Sequence, residues 1–203
     1  MSDPPHIVPP FADAVKDEFK FLSTSYRFRV VTTERTFVRF ESAHVFVNAY
    51  HGRSSFELGV EIGRFKDRNE REQYFHLGEV VRLQDARAWQ EFRAYQTADP
   101  KLVIEGVQLL AQQLKLWGND ALCGNADIFA ALRQQRIEDA AEYAHELRLS
   151  RARTKAYEAW KQHNYVDVAL YYGQFEGDLS HAERGKLQYA RGKLLKAEGF
   201  VQR

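Results

Sequence analysis

Val45-Phe46-Val47-Asn48-Ala49-Tyr50, then His51-Gly52-Arg53-Ser54, then Phe56-Glu57-Leu58-Gly59-Val60-Glu61-Ile62 is the stretch that decides the fold. On each side of the polar link, apolar residues recur at every second position, the period of a half-buried strand. Strands joined by so short a link pair antiparallel, because a parallel partner needs a long crossover. The same period runs upstream. Tyr26, Phe28 and Val30 alternate with Arg27 and Arg29, and Val38 and Phe40 alternate with Phe37, Arg39 and Glu41. Thr32-Thr33-Glu34-Arg35 and Ser42-Ala43 supply turns. The spacing predicts a meander, with Tyr74 and Phe75 as a short last strand.

From Leu77 the apolar spacing becomes helical. Asp85 caps a helix carrying Trp89, Phe92 and Tyr95. Asp99-Pro100 is a cap followed by proline at the first helical position. The helix it opens carries Leu102, Val103, Gly106, Leu109, Leu110, Leu114 and Trp117 on one stripe and ends at Gly118-Asn119. Another starts at Asn125 or Asp127, a long one runs from about Glu138 to Gln162, and two more span about 165–175 and 180–197. Ser180 and Glu183 form a capping box for the last. Sheet first and helices after is α+β. The expected fold is an N-terminal antiparallel four- to five-stranded sheet (24–76) packed on a C-terminal all-helical half (77–200). Residues 19–203 are expected to form one domain, with the Leu109, Leu110 and Trp117 helix covering the sheet. Four of the five prolines fall within residues 4–10, so residues 1–18 are expected to be a flexible proline-rich arm, with a short helical stretch from about Phe11.

Lys and Arg number 29 against 28 Asp and Glu. That balance gives no global attraction to nucleic acid or an anionic membrane and argues against both as partners. The single cysteine, Cys123, excludes an internal disulfide and a cysteine-based metal site. Its small-residue surroundings predict a packed, inert thiol, and its isolation fits a reducing cytoplasm. The N-terminus lacks the basic start and apolar core of a signal peptide, and no apolar run has the length of a membrane span.

No metal, cofactor or catalytic residue is predicted. His6, His44, His51, His76, His145, His163 and His181 lack the spacing of a helical metal motif. Gly59-Val60-Glu61-Ile62-Gly63 lacks the lysine and the strand-to-helix turn of a nucleotide loop. Glu57 and Glu61 share a sheet face and could do acid–base work, but a solvated face with cross-strand ion pairs to Arg27, Arg29 or Arg39 is the favoured reading. Arg148, Arg151 and Lys155 make a basic helix face diluted by Glu142, Glu146 and Glu158. Tyr157, Trp160, Tyr165, Tyr171, Tyr172 and Phe175 stand at helical spacing and read as packing between helices.

What stands out is the second face of the meander. Arg27, Arg29, Phe37, Arg39, Glu41, Phe46, Asn48, Tyr50, Glu57 and Glu61 all point away from the core if the period holds. Aromatic side chains among arginines are the composition of a protein interface. The sequence therefore predicts a non-enzymatic protein-binding module that uses this face, and leaves a homo-oligomer open. Two alternatives stand beside it. One is a small-molecule-binding protein or enzyme with a pocket between sheet and helices, which a cleft where Glu57, Glu61 and His44 converge would favour. The other is a nucleic-acid-associated protein using Arg148, Arg151 and Lys155.

Two stretches carry resemblances. Ala156-Tyr157-Glu158-Ala159-Trp160 returns about 34 residues later as Ala190-Arg191-Gly192-Lys193-Leu194. Residues 155–193 thereby resemble a tetratricopeptide-type helical hairpin, without that family's Leu-Gly pair or closing proline. Phe37-Val38-Arg39-Phe40-Glu41-Ser42, Glu57 to Arg64 and Leu77-Gly78-Glu79 resemble small bacterial proteins of the kind that includes immunity proteins of toxin systems. That resemblance implies a bacterial, cytoplasmic inhibitor whose partner is a toxin. It assigns no individual residue.

Overall fold

A computed structural model describes residues 11–65, 73–93 and 95–201, with side chains to residue 196. The chain is α+β and divides into two compact units, residues 1–135 and 136–203, where one domain is expected from the sequence.

The first unit opens with helices α1 (Phe11–Glu18) and α2 (Lys20–Tyr26). Residues 1–10 of the expected arm lie outside the described residues. Residues 11–18 are not an arm. Phe11 and Val15 are buried in the core, and burying a side chain of that size contributes about 1.5–3 kcal/mol. Strands β1 (Arg29–Glu34), β2 (Phe37–Glu41), β3 (Val45–His51), β4 (Glu57–Arg64) and β5 (Gln73–His76) follow as an antiparallel meander in chain order. A sixth strand absent from the sequence reading, β6 (Tyr95–Gln96), pairs with the start of β4.

The apolar face predicted from the period is the core face. Val38, Phe40, Val45, Val47, Ala49, Leu58, Val60, Ile62 and Phe75 are all buried. The exceptions lie at the ends. Tyr26 belongs to α2, and Arg27, at φ 61, is that helix's left-handed C-cap, not a strand residue. Val30 is exposed where β1 slips register against β2. Phe56, expected inside, is 44% exposed at φ 55, because its N–H closes the hairpin on Gly52 O at 2.8 Å before β4 begins.

Helices α3 (Leu77–Gln84), α5 (Pro100–Trp117) and α6 (Asn119–Leu122) cover this face, with α4 (Ala86–Glu91) beside α3. Asp85 and Asp99 cap α4 and α5 through side-chain bonds of 2.8 Å to the N–H groups of Arg87 and Lys101, as their positions predict. α5 turns Val103, Gly106, Val107, Leu110, Ala111 and Leu114 inward, while Leu102 and Leu109 stay exposed. α4 stops at Glu91, so Tyr95 reaches β6 and is not helical. Two predicted helices merge into one, α7 (Ala126–Lys161). It starts in the first unit, where Ile128, Phe129 and Leu132 join the core. Gln134-Gln135-Arg136-Ile137-Glu138 holds neither proline nor glycine to interrupt it.

In the second unit, the end of α7 packs with α8 (Tyr165–Gly173) and α9 (His181–Val201) around Ala156, Ala159, Val168, Tyr172, Leu179, Leu187 and Ala190. Alanines on two of these helices permit the close approach that the echoed segments predict. The Ser180 N–H donates to Glu183 Oε2 at 2.7 Å and the Glu183 N–H to Ser180 Oγ at 3.3 Å, which completes the predicted capping box.

Candidate functional site

The outer face of the sheet is built in three rungs. Phe37, Tyr50 and Gly59 stand opposite one another across β2, β3 and β4. Arg39, Asn48, Glu61 and His76 form the next rung, and Glu41, Phe46, Gly63 and Tyr74 the third. Of the ten residues assigned to this face, Phe37, Arg39, Glu41, Phe46, Asn48, Tyr50, Glu57 and Glu61 belong to β2, β3 or β4. Arg29 stands opposite Glu41 at the β1 edge, and Arg27 lies outside the sheet.

Glycine at two rung positions lets aromatic rings lie flat across β4. A Cβ at Gly59 would overlap the Tyr50 ring, and one at Gly63 would overlap the Phe46 ring. Phe46 is fully buried despite facing outward. The Arg39 guanidinium lies 4.1 Å above its ring and 5.9 Å from the Phe65 ring, a cation–π arrangement. Arg39 Nε also donates to Glu41 Oε1 at 2.8 Å, and the Arg39 side chain is only 15% exposed. Arg39 is thus committed within the protein. Asn48 Nδ2 donates to Glu61 Oε2 at 3.1 Å.

The accessible part of the face lies at β5 and at the start of β4, where Glu57 is exposed. Tyr74 is 41% exposed and meets the His76 ring edge-on at 5.9 Å. The sequence reading misses both, although period 2 through Tyr74-Phe75-His76 places them on this face once Phe75 is inside. β4 pairs with β6 at Glu57 and Leu58 and with β5 from Glu61 onward. Beside the intervening Gly59 and Val60 is a cavity of about 250 Å³, whose walls include Tyr50, Glu57, His76, Leu77, Trp89 and Phe92. Trp89 and Phe92 stack at 5.7 Å. Burial, then the carboxylates of Glu57 and Glu61 and the Tyr74 phenol, push Tyr50 up to about 12. Its hydroxyl therefore stays protonated and able to donate.

The cavity beside Gly59 and Val60 does lie between sheet and helices, but Glu57, Glu61 and His44 do not converge in it. His44 is exposed in the β2–β3 turn, and it is His76 that stands opposite Glu61. Cys123 is exposed at the end of α6, not packed. Arg148, Arg151 and Lys155 are exposed on α7, with Arg148 Nε bonded back to Ala144 O at 3.2 Å. The helical aromatics divide. Tyr172 is core, Trp160, Tyr165, Tyr171 and Phe175 are half-buried against it, and Tyr157 is exposed. No group of three or more His, Cys, Asp or Glu among the described residues is arranged to hold a metal ion, and no helix among them is long and apolar enough to cross a membrane.

No protein-family model matches the chain, and comparison with curated proteins and with solved structures returns no significant match.

Proposed function

We propose that the protein is a non-enzymatic binding module for another protein, which it contacts through the outer face of its sheet. The observation that carries this is the continuity of that face with the cavity. Tyr50, Glu57 and His76 belong to both. A flat aromatic surface running into a small recess suits a partner that lays a surface across Tyr74 and His76 and inserts one side chain as an anchor. Trp89 and Phe92 would pack the stem of an arginine or lysine, and Glu57 would meet its charge. At about 250 Å³ the recess is smaller than the roughly 300–1,000 Å³ of small-molecule pockets, which favours an inserted side chain over a free ligand. An immunity-type inhibitor that occludes a toxin is the form of this role implied by the resemblance of residues 37–79.

The test is affinity capture from a lysate of the organism encoding the chain, using wild type beside a Glu57→Arg, Tyr74→Ala variant. Both positions are exposed, so the fold should survive, and circular dichroism checks that it does. Arg39 is unsuitable as a probe because its removal unpacks Phe46. A stoichiometric protein retained by wild type and lost from the variant supports the reading. Equal retention by both rules this face out.

A further inference from the structure

The second unit carries its own concave site. A cavity of about 460 Å³ is lined by Trp160, His163, Tyr165, Gly185, Lys186 and Tyr189, with Ala182 beside them. The three large rings stand mutually edge-to-face. Their centroids lie 6.0 Å apart for Trp160–Tyr165, 5.5 Å for Trp160–Tyr189 and 5.5 Å for Tyr165–Tyr189. If these rings served only to pack helices, their surroundings would be closed. Instead Tyr189 is 48% exposed, and a Cβ at Gly185 would meet nothing within 4 Å. A glycine inside a helix costs about 0.5–1 kcal/mol relative to alanine, and here no neighbour requires it. Its effect is to keep the cavity open.

His163 adds a second oddity. It occupies the position after α7 where a left-handed residue ends the helix, at φ 57. Its N–H bonds to Trp160 O at 3.1 Å and the Asn164 N–H to Ala159 O at 2.9 Å, the Schellman pattern that glycine usually serves. The imidazole is turned to the cavity, with Nδ1 3.2 Å from the Tyr165 hydroxyl.

Charge selects the ligand. Lys186 lies 5.7 Å from the Trp160 ring and Lys193 5.3 Å from the Tyr189 ring. Lys196 continues the stripe along α9, about 15 Å from Lys186 at 1.5 Å per residue. The nearby acids are engaged elsewhere: Glu158 with Lys161 at 3.3 Å, Glu176 with Arg191 at 2.8 Å and Glu183 with Arg153 at 2.8 Å. None of Lys186, Lys193 and Lys196 has a carboxylate partner among the described residues. A cationic ligand is repelled. A ligand with a flat ring beside a row of negative charges is matched.

We infer that this surface binds single-stranded nucleic acid, one base lying in the cavity against the open side of the Trp160, Tyr165 and Tyr189 cluster while successive phosphates follow Lys186, Lys193 and Lys196. Stacking on aromatic side chains with a basic track alongside is how single strands are held without base-specific contacts. An acidic peptide would use the lysines but has no flat group to place in the cavity at each charge. The protein's overall charge balance is no obstacle, because the track is local.

The test is fluorescence anisotropy of the full chain with short labelled single-stranded oligonucleotides, both oligo-U and oligo-dT. Three phosphate contacts predict a slope of about −2 in log K against log salt, so affinity falls about twenty-fold between about 50 and 200 mM salt. The Cβ that Gly185→Leu adds meets nothing within 4 Å, and its isobutyl group would occupy the cavity and should weaken binding about tenfold or more. Lys193→Gln should make the slope shallower by about 0.7. Arg148→Gln with Arg151→Gln should change neither. Absence of binding at low salt overturns the inference. So does binding unchanged by Gly185→Leu, or competition by a glutamate-rich peptide at concentrations equal to the oligonucleotide. Glu57→Arg with Tyr74→Ala should leave oligonucleotide binding intact, which separates this site from the sheet face.

Discussion

Gly59 and Gly63 occupy the same face of β4, yet alanine at each should have unlike consequences. At Gly63 the new methyl would overlap the Phe46 ring and come within 2.6 Å of the Gln73 carbonyl oxygen. Phe46 is fully buried under Arg39 and Phe65, and a paired backbone cannot recede. Overpacking of this kind costs about 1–3 kcal/mol, occasionally more. The gain from replacing a strand glycine is about 0.5–1 kcal/mol, so a net loss of about 1–2 kcal/mol remains. At Gly59 the methyl meets only the outer atoms of the Tyr50 ring, which is less buried than Phe46 and can swing aside. There the two contributions nearly cancel, and stability should stay within about 1 kcal/mol of wild type. Urea denaturation followed by circular dichroism measures both. Phe46→Val should recover part of the Gly63→Ala loss, since residues in contact do not act additively. If Gly63→Ala is as stable as wild type, or Gly59→Ala is the more damaged, the placement of Phe46 and Tyr50 over β4 is wrong.

Three further outcomes follow from single groups. In spectrophotometric titration Tyr50 should ionise near pH 12, and Tyr50→Phe should remove one tyrosine's absorbance change from that range. Burial opposes ionisation of Glu183, but hydrogen bonds from Ser180 and the Arg153 guanidinium outweigh it and hold the carboxyl below its ordinary value. A carboxylate so lowered stabilises the fold above its unfolded pKa of about 4.3 and loses that contribution as pH falls through its folded value. Glu183→Gln should therefore lower stability at neutral pH by about 1–2 kcal/mol and flatten its decline in acid, as read by thermal unfolding from neutral to acid pH. His163→Gly should raise stability by about 0.5–1 kcal/mol in thermal unfolding, because glycine accepts φ 57 without strain, while weakening oligonucleotide binding. A loss of stability there would mean that the imidazole is held for packing.

Period 2 and the capping residues make the meander, the helix starts and most of the core legible in the sequence. Asp85, Asp99 and Ser180 act through neighbours two or three residues away, and local chemistry of that kind is written locally. Burial on the second face is not. Phe46 and Asn48 alternate with Val45, Val47 and Ala49 as outward residues should, and they do face outward. They are buried because Arg39, Phe65 and the glycines of β4 close over or beneath them. Those contacts depend on register between strands, which one strand's period cannot supply. Phe56 misleads for a different reason. It continues the alternation by residue type, but the hairpin needs a left-handed residue there and takes it from the aromatic. β6 is two residues long, below what any periodic pattern can announce.

The same distinction governs charge. A net charge of +1 is a sum over 203 residues, and it is silent on which charges are already answered. Arg39, Arg153 and Arg191 are spent on Glu41, Glu183 and Glu176. These pairs remove equal numbers of both signs and leave the sum unchanged. What the pairing changes is location, because the acids consumed in the second unit are those that would otherwise screen α9. Lys186, Lys193 and Lys196 share one stripe of that helix beside open aromatic rings. A partner within a Debye length, about 8–10 Å, responds to that stripe and not to the total. A near-neutral chain can therefore present one aromatic face with Glu57 at its recess and another beside a row of lysines that have no carboxylate partner among the described residues.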